Sequence, residues 1–125
     1  MNSYKELEIY KEAFRLAKAI HLMTLELPKT EQYESGSQIR RSAQSVRANI
    51  VEGYGRREYK TEFIRFLIFA DASLLETESH LEMIKELYEY VPTDDLLEEY
   101  HILGKKLSTF ISYVETSRKT SRDNK

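Results

Sequence analysis

Apolar residues recur along most of this chain at alternating spacings of three and four, which is the repeat of an amphipathic helix. Four segments carry the pattern, and they run from Tyr4 to Leu27, from Ser35 to Tyr54, from Glu58 to Tyr90 and from Asp94 to Glu115. The stretch from Lys29 to Ser35 is interpreted as a connection. Because short connections join four amphipathic segments, we predict an all-α fold, an antiparallel up-down-up-down four-helix bundle.

On each segment, the apolar residues that share one helix face form a stripe, which we call its seam, and the seams identify the expected core. The third segment keeps a heptad repeat, and its residues are Phe63, Leu67, Ala70, Leu74, Thr77, Leu81, Ile84 and Tyr88. The second and fourth segments have one seam each, made of Ile39, Ala43, Val46 and Ile50 and of Leu96, Tyr100, Leu103, Leu107, Phe110 and Val114. We expect these side chains to meet in the middle of the bundle.

The first and third segments have more apolar surface than one neighbouring helix covers. The first has two adjacent stripes, Leu7, Tyr10, Phe14, Ala17, His21 and Thr24 beside Ile9, Ala13, Leu16, Ile20, Met23 and Leu27. A helix this wide should bury two sides, so the pattern predicts self-association. The candidate oligomer interface comprises Phe66, Ile68 and Phe69 of the third segment with Ile9 and Leu16 of the first.

Composition supports one domain and limits its chemistry. The 125 residues are 41% hydrophobic and 32% charged, with only four Gly and two Pro, which favours a single helical domain over residues 1–115. Residues 116–125 contain no apolar side chain and are expected to form a flexible basic tail. The chain has no Cys, no apolar run that would span a membrane and no secretion signal, so we expect a cytoplasmic protein without a membrane partner.

Charge is distributed unevenly although the net charge is only −2. Residues 35–65 carry seven bases against three acids, whereas residues 66–104 carry ten acids against one base. Such a subunit could attract a polyanion to its basic side or pair with the acidic side of another copy. A mixed charge pattern is equally what solvated helices show. The candidate nucleic-acid contacts are Arg40, Arg47, Arg56, Arg57, Lys60, Arg118, Lys119 and Arg122.

No residue pattern indicates an enzyme, a metal site or a cofactor site. A di-iron bundle needs two Glu-x-x-His pairs, and Glu98 with His101 is the single example. His21 and His80 lie on separate helices without the companions of a catalytic triad. We therefore expect no catalytic residue, no metal, no cofactor and no small-molecule substrate.

Polar side chains cover much of the surface of the second segment, and those that are buried need hydrogen-bond partners. If the following turn is centred near Arg57, then Arg41 lies opposite Ser73 and Glu76 on the antiparallel neighbour. One interpretation is a half-buried ion pair of Arg41 with Glu76 that fixes helix register, and the other is a ligand contact. The predicted network consists of Arg41, Ser45, Asn49, Glu52, Ser73 and Glu76.

The same segment carries a resemblance to a known family. The run Q-I-R-R-S-A-x-S-V-x-A-N-I-V-E-G at 38–53, preceded by Leu27-Pro28 and Glu31-x-Tyr33, resembles the signature of the bacterial four-helix bundle proteins encoded in intervening sequences of 23S ribosomal RNA genes. Tyr4-x-x-Leu7 and Ala72-Ser73-Leu74-x-Glu76-x-Glu78 are similar to its flanking blocks. Arg47 stands where members commonly have Pro.

The resemblance implies an antiparallel four-helix bundle that assembles as a homopentamer and has no enzymatic activity. The family is related to accessory proteins of diversity-generating retroelements, which look like basic barrels that engage nucleic acid. We therefore expect a homo-oligomeric scaffold or adaptor whose basic side contacts RNA, DNA or a protein partner. The alternative is a structural or protein–protein interaction module without affinity for nucleic acid.

Overall fold

The computed structural model describes residues 3–117, and every regular element in that range is helical. A 3₁₀ turn at Tyr4–Glu6 is followed by five helices. They are α1 (Glu8–Thr24), α2 (Lys29–Tyr33), α3 (Ser35–Gly55), α4 (Lys60–Leu87) and α5 (Asp94–Thr116). Because no strand occurs within residues 3–117, the prediction of an all-α chain is confirmed. None of the helices in that range has the length and apolar character needed to cross a membrane.

The first predicted segment is interrupted near its start. Leu7 has an extended backbone, and its carbonyl accepts hydrogen bonds from the amides of Tyr10 and Lys11, so α1 begins after it. At the other end, Pro28 precedes the short helix α2, within the stretch that was predicted as a connection. A helix of five residues is too short to show apolar periodicity, which is why the pattern did not reveal it.

Each of the four long helices packs against two others. The most extensive contact joins α3 to α4, followed by α1 with α3 and α4 with α5, and the least extensive joins α1 to α5. Gly53 allows the close approach of α3 to α4, since a Cβ atom there would lie 3.2 Å from both Phe63 Cδ1 and Phe66 Cβ. The helices therefore enclose one core, but its four seams differ in tightness.

The predicted seams form this core. All heptad residues of α4 from Phe63 to Ile84 are buried, as are the seams of α3 and, except for half-buried Phe110, of α5. On α1 the second stripe is buried in the chain itself, with Ile9 at 3% and Leu16 at 0% exposure. Their assignment to an oligomer interface needs correction, because α3 and α5 already cover the two sides of α1.

Candidate functional site

The polar face of α3 meets α4 through a ladder of neutral side chains. The Ser45 and Ser73 hydroxyls are 2.8 Å apart. The Thr77 hydroxyl lies 2.8 Å from both the Ser42 hydroxyl and the Ser73 carbonyl oxygen. Asn49 extends the ladder, because its Nδ2 donates to the Ser45 carbonyl at 2.9 Å. Ser42 and Thr77 are almost fully buried, so these hydrogen bonds satisfy groups that water cannot reach.

This hydroxyl ladder contains three of the six residues of the predicted network. Ser45, Asn49 and Ser73 belong to it, whereas Arg41 is exposed and makes no hydrogen bond or ion pair with any residue of 3–117. Ser45 lies opposite Ser73, so the α3–α4 register differs by one helical turn from the prediction. Arg41 and Glu76 are both exposed, and no hydrogen bond or ion pair joins them. The predicted Arg41–Glu76 pair is therefore wrong.

The two acids of the predicted network pair locally instead. Glu76 approaches His80 Nε2 at 3.4 Å within α4, without the alignment of a hydrogen bond. Glu52 lies 3.5 Å from Arg56 Nε, also one turn away on its own helix. Both carboxylates are exposed, so contacts of this length contribute little to stability.

Arg40, a predicted nucleic-acid contact, is engaged inside the chain. Its Nη1 donates to Thr24 Oγ1 at 2.8 Å, and its Nη2 donates to the Gln32 carbonyl at 3.0 Å. The side chain thus ties the end of α1 and the short α2 to α3. Arg40 therefore has a structural role, with two of its five N–H donors engaged inside the chain.

Three other predicted cations gather where α3 turns into α4. The Arg57 guanidinium stacks on the Tyr54 ring at 4.0 Å, and that of Arg56 lies 4.8 Å from the Phe66 ring centroid. Lys60 Nζ donates to the Ser117 carbonyl at 2.8 Å, which brings the end of α5 to the same place. We call Arg56, Arg57 and Lys60 the basic corner. Glu52 and Glu62 lie beside it, each within 3.5 Å of Arg56.

Within residues 3–117, the other predicted cation is Arg47, and it lies apart from that corner. Arg47 bonds to Gln44 on its own helix and lies 6.0 Å from the Phe14 ring centroid. Arg118, Lys119 and Arg122 lie outside the residues that the structure describes. Sequence reasoning also left out Arg65, whose guanidinium is 5.2 Å from the Phe69 ring centroid. Its position one turn before Phe69 on α4 is the signal that could have identified it.

A second face of α4, away from the core, carries apolar and small side chains. Ile68, Ala72, Leu75, Ser79 and Met83 are all exposed, and we call these residues the outer stripe. They recur at spacings of four and three, roughly half a turn around the helix from the buried heptad. Leu75 and Met83 are each 58% exposed, and Phe69 beside the stripe is 40% exposed. The helix therefore has apolar surface on opposite sides, and its own chain covers one of them.

Asp71 lies beside the outer stripe and is only partly accessible. It is three residues after Ile68 and four before Leu75, so the three side chains share one face of α4. No residue of 3–117 donates a hydrogen bond to it or pairs with it, and burial raises the pKa of its carboxyl group. A partly desolvated carboxylate without a cation is unfavourable in an isolated chain.

The residues tested for catalysis remain dispersed. His101 Nδ1 is 2.9 Å from Glu78 Oε2 across α4 and α5. No group of three or more potential metal ligands occurs within the described range. The Tyr100 hydroxyl is buried without a hydrogen-bond partner in residues 3–117, and burial raises the pKa of Tyr100 far above its usual value. Tyr100 therefore stays neutral at physiological pH.

The comparison with family models agrees with the resemblance seen in the sequence. A model described as 23S rRNA-intervening sequence protein matches residues 5–109, a range that contains α1 to α4 and most of α5. It includes the hydroxyl ladder, the basic corner and the outer stripe. No curated protein matches the chain significantly. Because the match covers most of its length, the chain belongs to the 23S rRNA-intervening sequence protein family.

Proposed function

We propose that this protein is a non-enzymatic homo-oligomeric scaffold or adaptor of the cytoplasm, assembled as a pentamer from antiparallel up-down-up-down four-helix bundles. The observation that carries the proposal is the outer stripe of α4, which leaves a long apolar helix face uncovered within residues 3–117. A face of this kind on a small chain is typical of a contact with another protein surface. Pentamer is the number that the family resemblance implies.

The cross-helix contacts support the antiparallel arrangement. Ser42 pairs with Thr77 and Ser45 with Ser73, so residue numbers rise along α3 as they fall along α4. The ion pairs Glu8–Lys106 and Arg15–Glu99 give α1 and α5 the same relation. Short connections between successive helices make this the simplest bundle topology.

Light scattering tests the self-association. We expect the wild-type mass to exceed that of a monomer across the micromolar range, and we expect Phe69→Glu to reduce it, because a charge would be buried in the contact. Tyr33→Glu is the matched control, since Tyr33 is 74% exposed on α2, away from the outer stripe. A monomeric wild-type protein would contradict the proposal. An unchanged mass for Phe69→Glu would show that the contact between copies lies elsewhere.

The basic corner supports a contact with nucleic acid. Arg56 is paired with Glu52 and Glu62 at 3.5 and 3.4 Å, but about half of its side chain is exposed, so phosphate could replace these weak partners. Ser117 adjoins Lys60, and the basic residues 118–125 follow it in the sequence. An oligomer would repeat this corner in every copy, which turns modest affinity at one site into avidity.

Fluorescence anisotropy with RNA and DNA across a salt series tests this contact. At about 50 mM salt we expect binding without base specificity, and we expect affinity to fall steeply with added salt as counterions compete for the phosphates. Changing Arg56, Arg57 and Lys60 together to Glu should abolish binding with the oligomer intact. Changing Lys11, Lys18 and Lys29, which are exposed elsewhere, to Glu should weaken binding far less.

The alternative is an interaction module with no affinity for nucleic acid. It is favoured by the engagement of Arg40 inside the chain and by the ten acids among residues 66–104. If wild-type protein does not bind RNA or DNA at about 50 mM salt, where phosphate contacts are strong, the interaction module replaces the nucleic-acid contact as the proposed function.

A further inference from the structure

An apolar groove opens between the start of α1 and the second half of α5. Its volume is about 750 Å³. Leu7 and Ile9 form its α1 side, and Phe110 and Tyr113 form its α5 side. Leu7 and Ile9 are 5% and 3% exposed, whereas Tyr113 is 65% exposed, so the groove has a buried floor and an accessible wall. It lies at the least extensive of the four helix contacts, where α1 and α5 leave room for a further side chain.

The rim of the groove has one unpaired cation. Lys106 Nζ is 3.3 Å from Glu8 Oε1, so those two charges neutralise each other. Lys105 is exposed and makes no ion pair or hydrogen bond with any residue of 3–117. The described part of the chain therefore holds a free cation beside an apolar groove and, on α4, an unpaired carboxylate beside an apolar stripe.

We propose that the groove between α1 and α5 receives the outer stripe of α4 from a second copy of this chain, with Asp71 of one copy paired to Lys105 of the other. The proposal rests on the self-association proposed above and names the two surfaces that make it. An apolar helix face lying in an apolar groove is a common mode of protein recognition.

One complementary pair of charges, Asp71 and Lys105, supports this occupant over others. From Phe66 to Leu87, α4 carries five acids and one base. The groove has Lys105 and Lys106 on its α5 side and Glu6 and Glu8 on the other. Glu8 pairs with Lys106, which leaves Lys105 available to Asp71. Seating the stripe would cover Leu75 and would bring a cation to the one partly desolvated acid beside it. A free lipid or another small apolar ligand would fill the groove but would leave Asp71 unpaired.

The geometry makes the contact heterologous. The outer stripe belongs to α4, and the groove belongs to α1 and α5, which lie on another side of the chain. Each copy therefore keeps a free groove and a free stripe after one contact has formed. Contacts of this kind generate closed rings, or open filaments where the rotation does not close.

Charge reversal on each side of the contact is the sharpest test. Asp71→Lys and Lys105→Asp should each lower the association constant by at least about tenfold, because each places like charges together. A chain that carries both changes should recover most of the wild-type association, because every contact then again joins opposite charges. Lys18→Asp, at an exposed lysine of α1 outside the groove, is the matched control and should change little.

Two apolar variants test the same contact without relying on the ion pair. Leu75→Glu in the stripe and Tyr113→Glu in the groove both change exposed side chains, so the fold should persist, as circular dichroism can verify. Each should give a smaller assembly in analytical ultracentrifugation. Leu22→Glu, at a 61% exposed residue of α1 outside the groove, should not.

The outcomes separate this inference from the proposed function. A monomeric wild-type chain would overturn both. If Leu75→Glu splits the oligomer but Tyr113→Glu does not, and the double charge reversal fails to restore association, the stripe docks elsewhere. The groove inference is then wrong while self-association stands. Loss of association in both Glu variants together with rescue in the double charge reversal supports the inference.

Discussion

The seam between α3 and α4 and the seam between α1 and α5 are built from opposite kinds of interaction. Between α3 and α4, neutral hydroxyls pair in a nearly dry interior, and Gly53 lets the backbones approach closely. Between α1 and α5, the polar links are exposed ion pairs, Arg15 with Glu99 at 2.7 Å and Glu8 with Lys106 at 3.3 Å. The first seam fixes the fold, and the second leaves surface available for a partner.

The physical reason for this difference is the environment of each polar group. A buried hydroxyl that loses its partner incurs a desolvation penalty, so the ladder strongly prefers one register. An exposed ion pair can exchange its partner for water at little cost. We therefore expect substitutions in the α3–α4 seam to reduce stability most, and charge changes in the α1–α5 seam to reduce it least.

The largest effect should come from filling the space that Gly53 leaves. Gly53→Leu would force atoms against Phe63 and Phe66, where even a Cβ would lie within 3.2 Å, and should cost about 3 kcal/mol of unfolding free energy. Gly55→Leu is the matched control, since a Cβ there meets nothing within 4 Å, and it should change stability by less than about 0.5 kcal/mol. Urea denaturation of both variants measures the difference. Equal losses would contradict the close approach.

The hydroxyl ladder should show the next largest effect. Thr77→Val keeps the shape but removes the hydroxyl that bonds to Ser42, and should cost about 1–2 kcal/mol. Adding Ser42→Ala should cost less than the sum of the two single changes, because the double variant leaves no unpaired partner. A double-mutant cycle followed by thermal unfolding checks this. Strict additivity would show that the two hydroxyls do not depend on each other.

Burial of the apolar residues could be predicted from the sequence, whereas the pairing of polar groups across the seams could not. Burial has a helical period, so the heptad of α4 from Phe63 to Ile84 could be predicted from the pattern. The register could not be predicted, since the assumed turn centre at Arg57 placed Arg41 opposite Ser73, whereas Ser73 bonds to Ser45. The pairing of Arg41 with Glu76 was wrong because both side chains point to solvent. Ser42 was missed because a serine among small apolar residues gives no signal of its distant partner Thr77.

The candidate surfaces were only partly predictable. Apolar width on α4 correctly indicated exposed residues such as Ile68 and Phe69, since a helix has just one side facing its own core. Leu16 was assigned wrongly by the same criterion, because α1 packs between two helices and its second stripe is wholly buried. The groove beside α5 depends on how far two helices separate, and one-dimensional periodicity does not report that distance.

The α1–α5 seam should respond weakly to the loss of its main ion pair. Arg15 Nη2 contacts Glu12 at 2.8 Å and Glu99 at 2.7 Å, but half of the Arg15 side chain is exposed. Arg15→Ala should therefore cost less than about 1 kcal/mol, and the cost should shrink at high salt. Urea titrations with and without added NaCl measure it. A loss as large as that of Thr77→Val would show that the two seams are equivalent.

The smallest effect is a pH dependence that should appear in the α1–α5 seam and not in the α3–α4 seam. The hydrogen bond from Arg15, aided by its charge and by that of Lys106, lowers the pKa of Glu12 in spite of partial burial. A carboxyl group whose pKa is lower in the folded state adds stability above its unfolded pKa, about 4.3, and loses it as pH falls through the folded value. The Glu12 contribution should be a few tenths of a kcal/mol at most because the site is exposed.

The difference in unfolding free energy between wild type and Arg15→Ala should therefore become smaller between about pH 5 and pH 3, since protonated Glu12 no longer attracts the Arg15 guanidinium. The loss of unfolding free energy caused by Thr77→Val should stay constant over that pH range, because neither Ser42 nor Thr77 titrates. Urea denaturation at a series of pH values and one protein concentration compares the two. If the two losses of unfolding free energy decreased in parallel, acid would be acting on the whole fold. The proposed electrostatic difference between the two seams would then be wrong.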